Sequence, residues 1–264
     1  MEPKDGVRTA GDAAIIRKQL LWTLAVLLVV AGAWGIWSWG QDTGWGNPDR
    51  AVAGKMDLGE KDFVAGRLED AAVQYRRIVD RYPKHPLVTQ AQTQLATALQ
   101  QLGRLQEALT VLQQLSDSLE GQTDKSDLHA YTLLQIGKVK KDMGDFAGAL
   151  DAYNTVRARH PKTDWSGEAQ SGIGEVMEAQ GRYKDARLAY QVLIKEMPGG
   201  FLAAEAQTDI GECYEQEKNA KAALKAYQIV LDKYPSAVWD TAKARLDALK
   251  KELEDAGDKT SSKG

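Results

Sequence analysis

The side chains with chemistry to offer are carboxylates. Glu168, Glu175 and Glu178 follow a seven-then-three spacing, which Glu205, Glu212 and Glu215 repeat with Asp209 beside them. On a helix those intervals share one face. Like charges gathered this way repel, and a basic partner relieves them better than water does. The two sets are therefore candidates for holding a Lys/Arg-rich protein segment. The bland alternative is a solvated helix face, because exposed faces are commonly charged.

Nothing else in the chain points to catalysis. There is no phosphate loop, dinucleotide fingerprint, nucleophile elbow or paired-histidine zinc helix. The three histidines are His85, His129 and His160, and nothing near them in sequence supplies further ligands, so all three are expected to be structural. Cys213 is the single cysteine, which excludes an internal disulfide; a small buried filler is its expected role. No enzyme activity, metal or cofactor is expected. A net charge of −3 on 264 residues gives no footprint for nucleic acid.

The elements that must position the carboxylates repeat along the chain. Gly66, Gly103, Gly144, Gly181 and Lys218 mark successive units, mostly 37 residues apart. Seven residues before each marker stands Gly59, Ala96, Gly137, Gly174 or Gly211. Five after stands Ala71, Ala108, Ala149, Ala186 or Ala223, and nine after stands Tyr75, Leu112, Tyr153, Tyr190 or Tyr227. Pro83, Pro161, Pro198 and Pro235 close the units, and only the second lacks its proline.

Each column has a physical reason. The marker turns one helix into the next through a left-handed residue, so Lys218 predicts a looser last turn. Small residues let paired helices approach, the tyrosine fills the space between units, and proline stops the second helix. Leu87, Trp165, Leu202 and Trp239 follow the prolines as apolar plugs. Extra residues in Ser116–Asp127 predict a surface excursion after the second unit.

Small residues, an aromatic and a terminal proline at these offsets resemble the tetratricopeptide repeat (TPR) family, over five units between about residues 50 and 236. The Tyr-Pro endings are similar to those of TPR proteins of the bacterial envelope, and the layout is similar to that of translocon-associated YfgM-type proteins. The resemblance implies an all-α solenoid in which each unit's first helix lines a concave groove. The groove candidates are then Phe63 in the first unit, Tyr131, Lys138 and Lys141 in the third, Glu168, Glu175 and Glu178 in the fourth, and Glu205, Glu212 and Glu215 in the fifth. The family's carboxylate clamp is not reproduced at these positions.

Ahead of the array, residues 20–39 carry no charge over a length that spans a bilayer. Trp22, Trp34, Trp37 and Trp39 lie in the run, several at its ends, and Arg17 and Lys18 precede it. That pattern predicts a transmembrane helix with residues 1–19 in the cytoplasm, as a signal-anchor of a bacterial inner membrane. The array would then be periplasmic. The triplet Ala31-Gly32-Ala33 offers the rival reading, a cleaved signal peptide. The expected layout continues with a linker at 40–49, the array at 50–236, a capping helix at 237–254 and a disordered tail at 255–264. The partners expected are proteins and the membrane, with a homo-oligomer as a further option and no nucleic acid. The function expected is a membrane-anchored scaffold of the envelope, the alternatives being a cleaved periplasmic adaptor or an accessory subunit of a membrane enzyme complex.

Overall fold

The computed structural model describes residues 47–236 and 239–261, together with Val29, Val30 and Gly32. The helices are α1 (Pro48–Val64), α2 (Leu68–Arg81), α3 (Val88–Gln101), α4 (Leu105–Leu119), α5 (Ser126–Asp142), α6 (Phe146–Arg159), α7 (Asp164–Ala179), α8 (Tyr183–Glu196), α9 (Gly200–Gln216), α10 (Ala220–Lys233) and α11 (Asp240–Ser261). A single 3₁₀ turn, Thr123–Lys125, lies between α4 and α5. Among the described residues no strand forms.

The helices end where the sequence says they must. α2, α6, α8 and α10 each stop two residues before Pro83, Pro161, Pro198 or Pro235, because proline drives its predecessor out of the helical region. Asn47, Asp145, Thr163 and Asn219 cap the starts of α1, α6, α7 and α10 by accepting from a backbone N–H three residues on. Between paired helices the marker residue is left-handed, at φ 71 for Gly103, 80 for Gly144 and 72 for Gly181. The residue after it donates back across the turn, as in Arg182 N to Met177 O at 2.8 Å.

Lys218 corrects one expectation. It takes the same left-handed conformation, φ 59, and the next residue, Asn219, donates to Tyr214 O at 2.9 Å. The turn is as tight as the others. The backbone bonds impose the geometry, and the lysine bears the conformational strain that glycine avoids.

The chain divides into two compact units, residues 1–91 and 92–264. In the first, α1 and α2 form a hairpin around Val52, Ile78 and Ala91, with Met56, Val79, Tyr82 and Leu87 packed against them. His85 is structural here, bridging Asp49 at 3.0 Å and accepting from Leu87 N at 3.1 Å. In the second, α5–α6, α7–α8 and α9–α10 are packed pairs, and each pair also packs on the next. α11 closes the stack, placing Ala242 and Leu246 against Tyr227, Val230 and Tyr234.

A tyrosine seated on a glycine recurs at the heart of the pairs. A methyl group at Gly59 would stand 2.7 Å from the Tyr75 ring, and one at Gly137 2.5 Å from that of Tyr153. Gly174 with Tyr190 and Gly211 with Tyr227 are as close. Only a residue without Cβ admits the ring. The second repeat has Ala96 and Leu112 in the same two columns, both buried, so the smaller side chain comes with the added methyl. The tyrosine also reaches the next unit: a methyl at Gly172 would be 2.5 Å from Tyr153.

Two boundaries depart from expectation. The capping helix begins at Asp240 and runs to Ser261, well past residue 254, since no proline stands in the way. The predicted transmembrane segment 20–39 lies, apart from Val29, Val30 and Gly32, outside the described residues. Among the described residues no helix is long and apolar enough to cross a membrane.

Candidate functional site

In the second compact unit, α5, α7 and α9 lie side by side as the first helices of three successive repeats. Nine of the ten groove candidates sit on them. Phe63 belongs to the first compact unit, half-buried on α1. The aligned register brings Lys138, Glu168, Ser171, Glu175 and Glu205 around one cavity of about 540 Å³. A second cavity of about 370 Å³ continues along α9, lined by Glu175, Glu205, Asp209, Glu212 and Asp240. Phe201 borders both and is 60% exposed, an aromatic at the rim of an acidic surface. The turn beneath it is formed by Gly199 and Gly200, at φ 91 and 78, which only glycine adopts without strain.

The ends of this surface already hold cations. Lys141 on α5 is ion-paired with Glu175. Arg245 on α11 lies 3.5 Å from Glu212 and 3.7 Å from Glu215. Between these ends stand Glu168, Glu205 and Asp209, which among the described residues have no cation at ion-pair distance.

Two candidates are not open groove residues. Glu178 accepts from the buried Cys213 thiol at 2.9 Å and from Tyr190. Glu215 accepts from the Tyr227 hydroxyl. In both repeats the carboxylate three residues before the turn reaches the tyrosine nine residues after it. In the third repeat that place is Lys141, which is turned to Glu175, and among the described residues the buried Tyr153 hydroxyl has no partner. Tyr131 is likewise engaged, edge-on to Trp165 with ring centroids 6.1 Å apart.

Asp209, which the spacing left beside the acidic face, is the most perturbed carboxylate. Burial pushes its carboxyl up to about 8, and the charges of Glu178, Glu212, Glu175 and Glu205 add to the shift. The repeat explains the burial: Asp209 stands where Gly172 stands one unit earlier, above the tyrosine of the preceding repeat. Glu205 and Glu178 are also raised, both chiefly by burial. Burial holds the Cys213 thiol well above its ordinary range, as expected of a filler rather than a nucleophile. Gln170 and Gln207, not singled out from the sequence, donate to the Ala189 and Ala226 carbonyls at 2.9 and 3.3 Å, tying each first helix to its partner. Their signal was available as buried glutamines one period apart.

The profile of the tetratricopeptide repeat matches residues 56–119, 134–201 and 205–237. The chain belongs to the tetratricopeptide repeat family. The match covers every unit read from the columns above. Among solved structures it is similar to the MamA protein, at 21% identity and TM-score 0.50 over 69% of this chain and 91% of that one. A MamA fragment from Desulfovibrio magneticus RS-1 is similar at 16% identity and TM-score 0.52, covering 69% and 93%. A Podosopora anserina putative kinesin light chain with nearly identical TPR-like repeats matches at 16% and 0.55, again over 69% and 93%. At these identities the likeness shows the fold. No curated protein matches the chain. TPR arrays are protein-interaction scaffolds, and among the described residues no cluster of ligating side chains could hold a metal.

Proposed function

We propose that the chain is a membrane-anchored scaffold of the cell envelope whose α5–α7–α9 groove takes a basic segment of a protein partner. The observation that carries the groove reading is the open pair Glu168 and Glu205, bordered by exposed Phe201 and flanked by carboxylates that cations already hold. A lysine or arginine there relieves like-charge repulsion, and the aromatic rim suits its aliphatic stem or its cation. The anchor is supported by the uncharged run 20–39 and the basic residues ahead of it. The Ala31-Gly32-Ala33 triplet favours the second reading, a cleaved periplasmic adaptor; full-length protein retained in a carbonate-washed membrane pellet would exclude it.

The groove is tested by titrating the full chain with a short Arg/Lys-rich peptide. Binding is expected to weaken as salt rises, by charge screening, and to fall in the Glu168→Gln, Glu205→Gln double variant with helicity unchanged. Equal binding by that variant returns the acidic surface to a solvated role. Crosslinking in intact membranes then identifies the natural partner.

A further inference from the structure

The connection between α4 and α5 holds a second charged cluster that the groove does not use. His129, in the first turn of α5, has a side chain only 8% exposed. Its Nε2 shares a 3.1 Å hydrogen bond with Ser116 Oγ on α4 and lies 3.6 Å from the Glu120 carboxylate. Arg159, the last residue of α6, approaches both oxygens of that carboxylate, at 3.0 and 2.9 Å. Next to it, His160 Nδ1 stands 3.3 Å from Ser126 Oγ, and its buried Nε2 has no hydrogen-bond partner among the described residues. One carboxylate thus faces two basic groups, His129 and Arg159.

We propose that this joint is a proton-operated latch: with the His129 ring neutral it holds residues 120–126 against α4 and α6, and a proton taken up by His129 releases them. The second repeat is the one that lacks its closing proline, so side chains rather than a stiffened backbone fasten this connection. The titratable and charged groups facing His129 are Glu120 from the end of α4 and Arg159 and His160 from the end of α6. Asp127, on α5 itself, accepts from Trp165 Nε1 at 3.2 Å instead. A charged His129 would compete with Arg159 for the exposed Glu120 carboxylate while its own ring stays buried against the Ser116 hydroxyl, which offers no charge in compensation.

The sign follows from burial. Burial lowers the His129 pKa below its ordinary 6.5; Glu120 raises it again, while Arg159 and His160 lower it further. The folded joint therefore favours the neutral ring. Its holding power is full above 6.5, begins to be lost as the pH falls below that value, and is gone below the lowered one.

The test is hydrogen exchange of the full chain at pH 7.5 and 5, corrected for the intrinsic rate. Protection of peptides spanning 116–130 is expected to drop by about tenfold at pH 5. His129→Gln, which keeps a polar partner for Ser116 but cannot be charged, is expected to show no such drop. Equal protection at both pH values in the natural chain, or a full drop in the variant, would overturn the latch. Should the variant fail to fold, proton NMR of the natural chain decides. Amide shifts of 119–126 that follow the His129 midpoint support the latch, and a His129 titration without them overturns it.

Discussion

The third and fifth repeats share one core and opposite linings. Gly137 seats Tyr153 just as Gly211 seats Tyr227, and Ala149 and Ala223 are both fully buried. Facing the groove, Lys138 and Lys141 in the third repeat stand where Glu212 and Glu215 stand in the fifth. The columns that fix helix pairing are therefore independent of those that set surface charge, apart from the position three residues before the turn. There the groove residue also meets the tyrosine, so Glu215 accepts from Tyr227 while Tyr153 goes without. Recognition can vary along such an array because packing does not depend on it.

The largest expected effect tests the shared core. Gly174→Ala forces a methyl into the Tyr190 ring, and overpacking costs about 1–3 kcal/mol against a helix-propensity gain of about 0.5–1 kcal/mol. Urea unfolding should show a net loss. Adding Tyr190→Leu recreates the Ala96–Leu112 arrangement of the second repeat, and the two changes together should cost less than their separate losses summed. Strict additivity would break the comparison between the two kinds of seat.

A smaller effect sharpens the contrast in lining. Folding favours neutral Asp209, whose carboxyl moves from 3.8 to about 8, so its contribution is full below about pH 4 and lost as the pH rises through 8. The melting temperature of the natural chain should fall between pH 6 and 9. Asp209→Asn, neutral throughout, should flatten much of that decline and melt higher than the natural chain at pH 9. Parallel pH profiles would return Asp209 to the ordinary carboxylates.

The smallest effect concerns the turn that differs between the two repeats, Gly144 against Lys218. Lys218→Gly removes the strain of a left-handed lysine and should stabilise by about 1 kcal/mol, read as a higher denaturation midpoint. Gly144→Lys should cost a similar amount.

The fold was legible because its decisive columns are residue types with one physical use. Glycine under tyrosine, alanine between helices and proline at the end of a pair can be counted directly along the chain. The site was legible as a face but not as a set of contacts. Glu178 and Glu215 have the same spacing as Glu175 and Glu212, yet a tyrosine from the paired helix claims them, and single-helix periodicity carries no trace of that helix. Asp209 was placed beside the face because its burial depends on the neighbouring repeat's ring. Lys218 misled because its identity argued against a geometry that the surrounding backbone bonds impose.

The glycine–tyrosine seat also bears on how such a chain can grow. Both halves of the seat lie within one period, so copying a stretch of that length copies a complete lock and key. A new unit arrives with its interior already solved, and only the rim toward its neighbour, where Gly172 in one repeat corresponds to Asp209 in the next, has to be negotiated afresh. Lengthening the array is then an easier change than altering any single tyrosine, which must move together with the glycine that admits it.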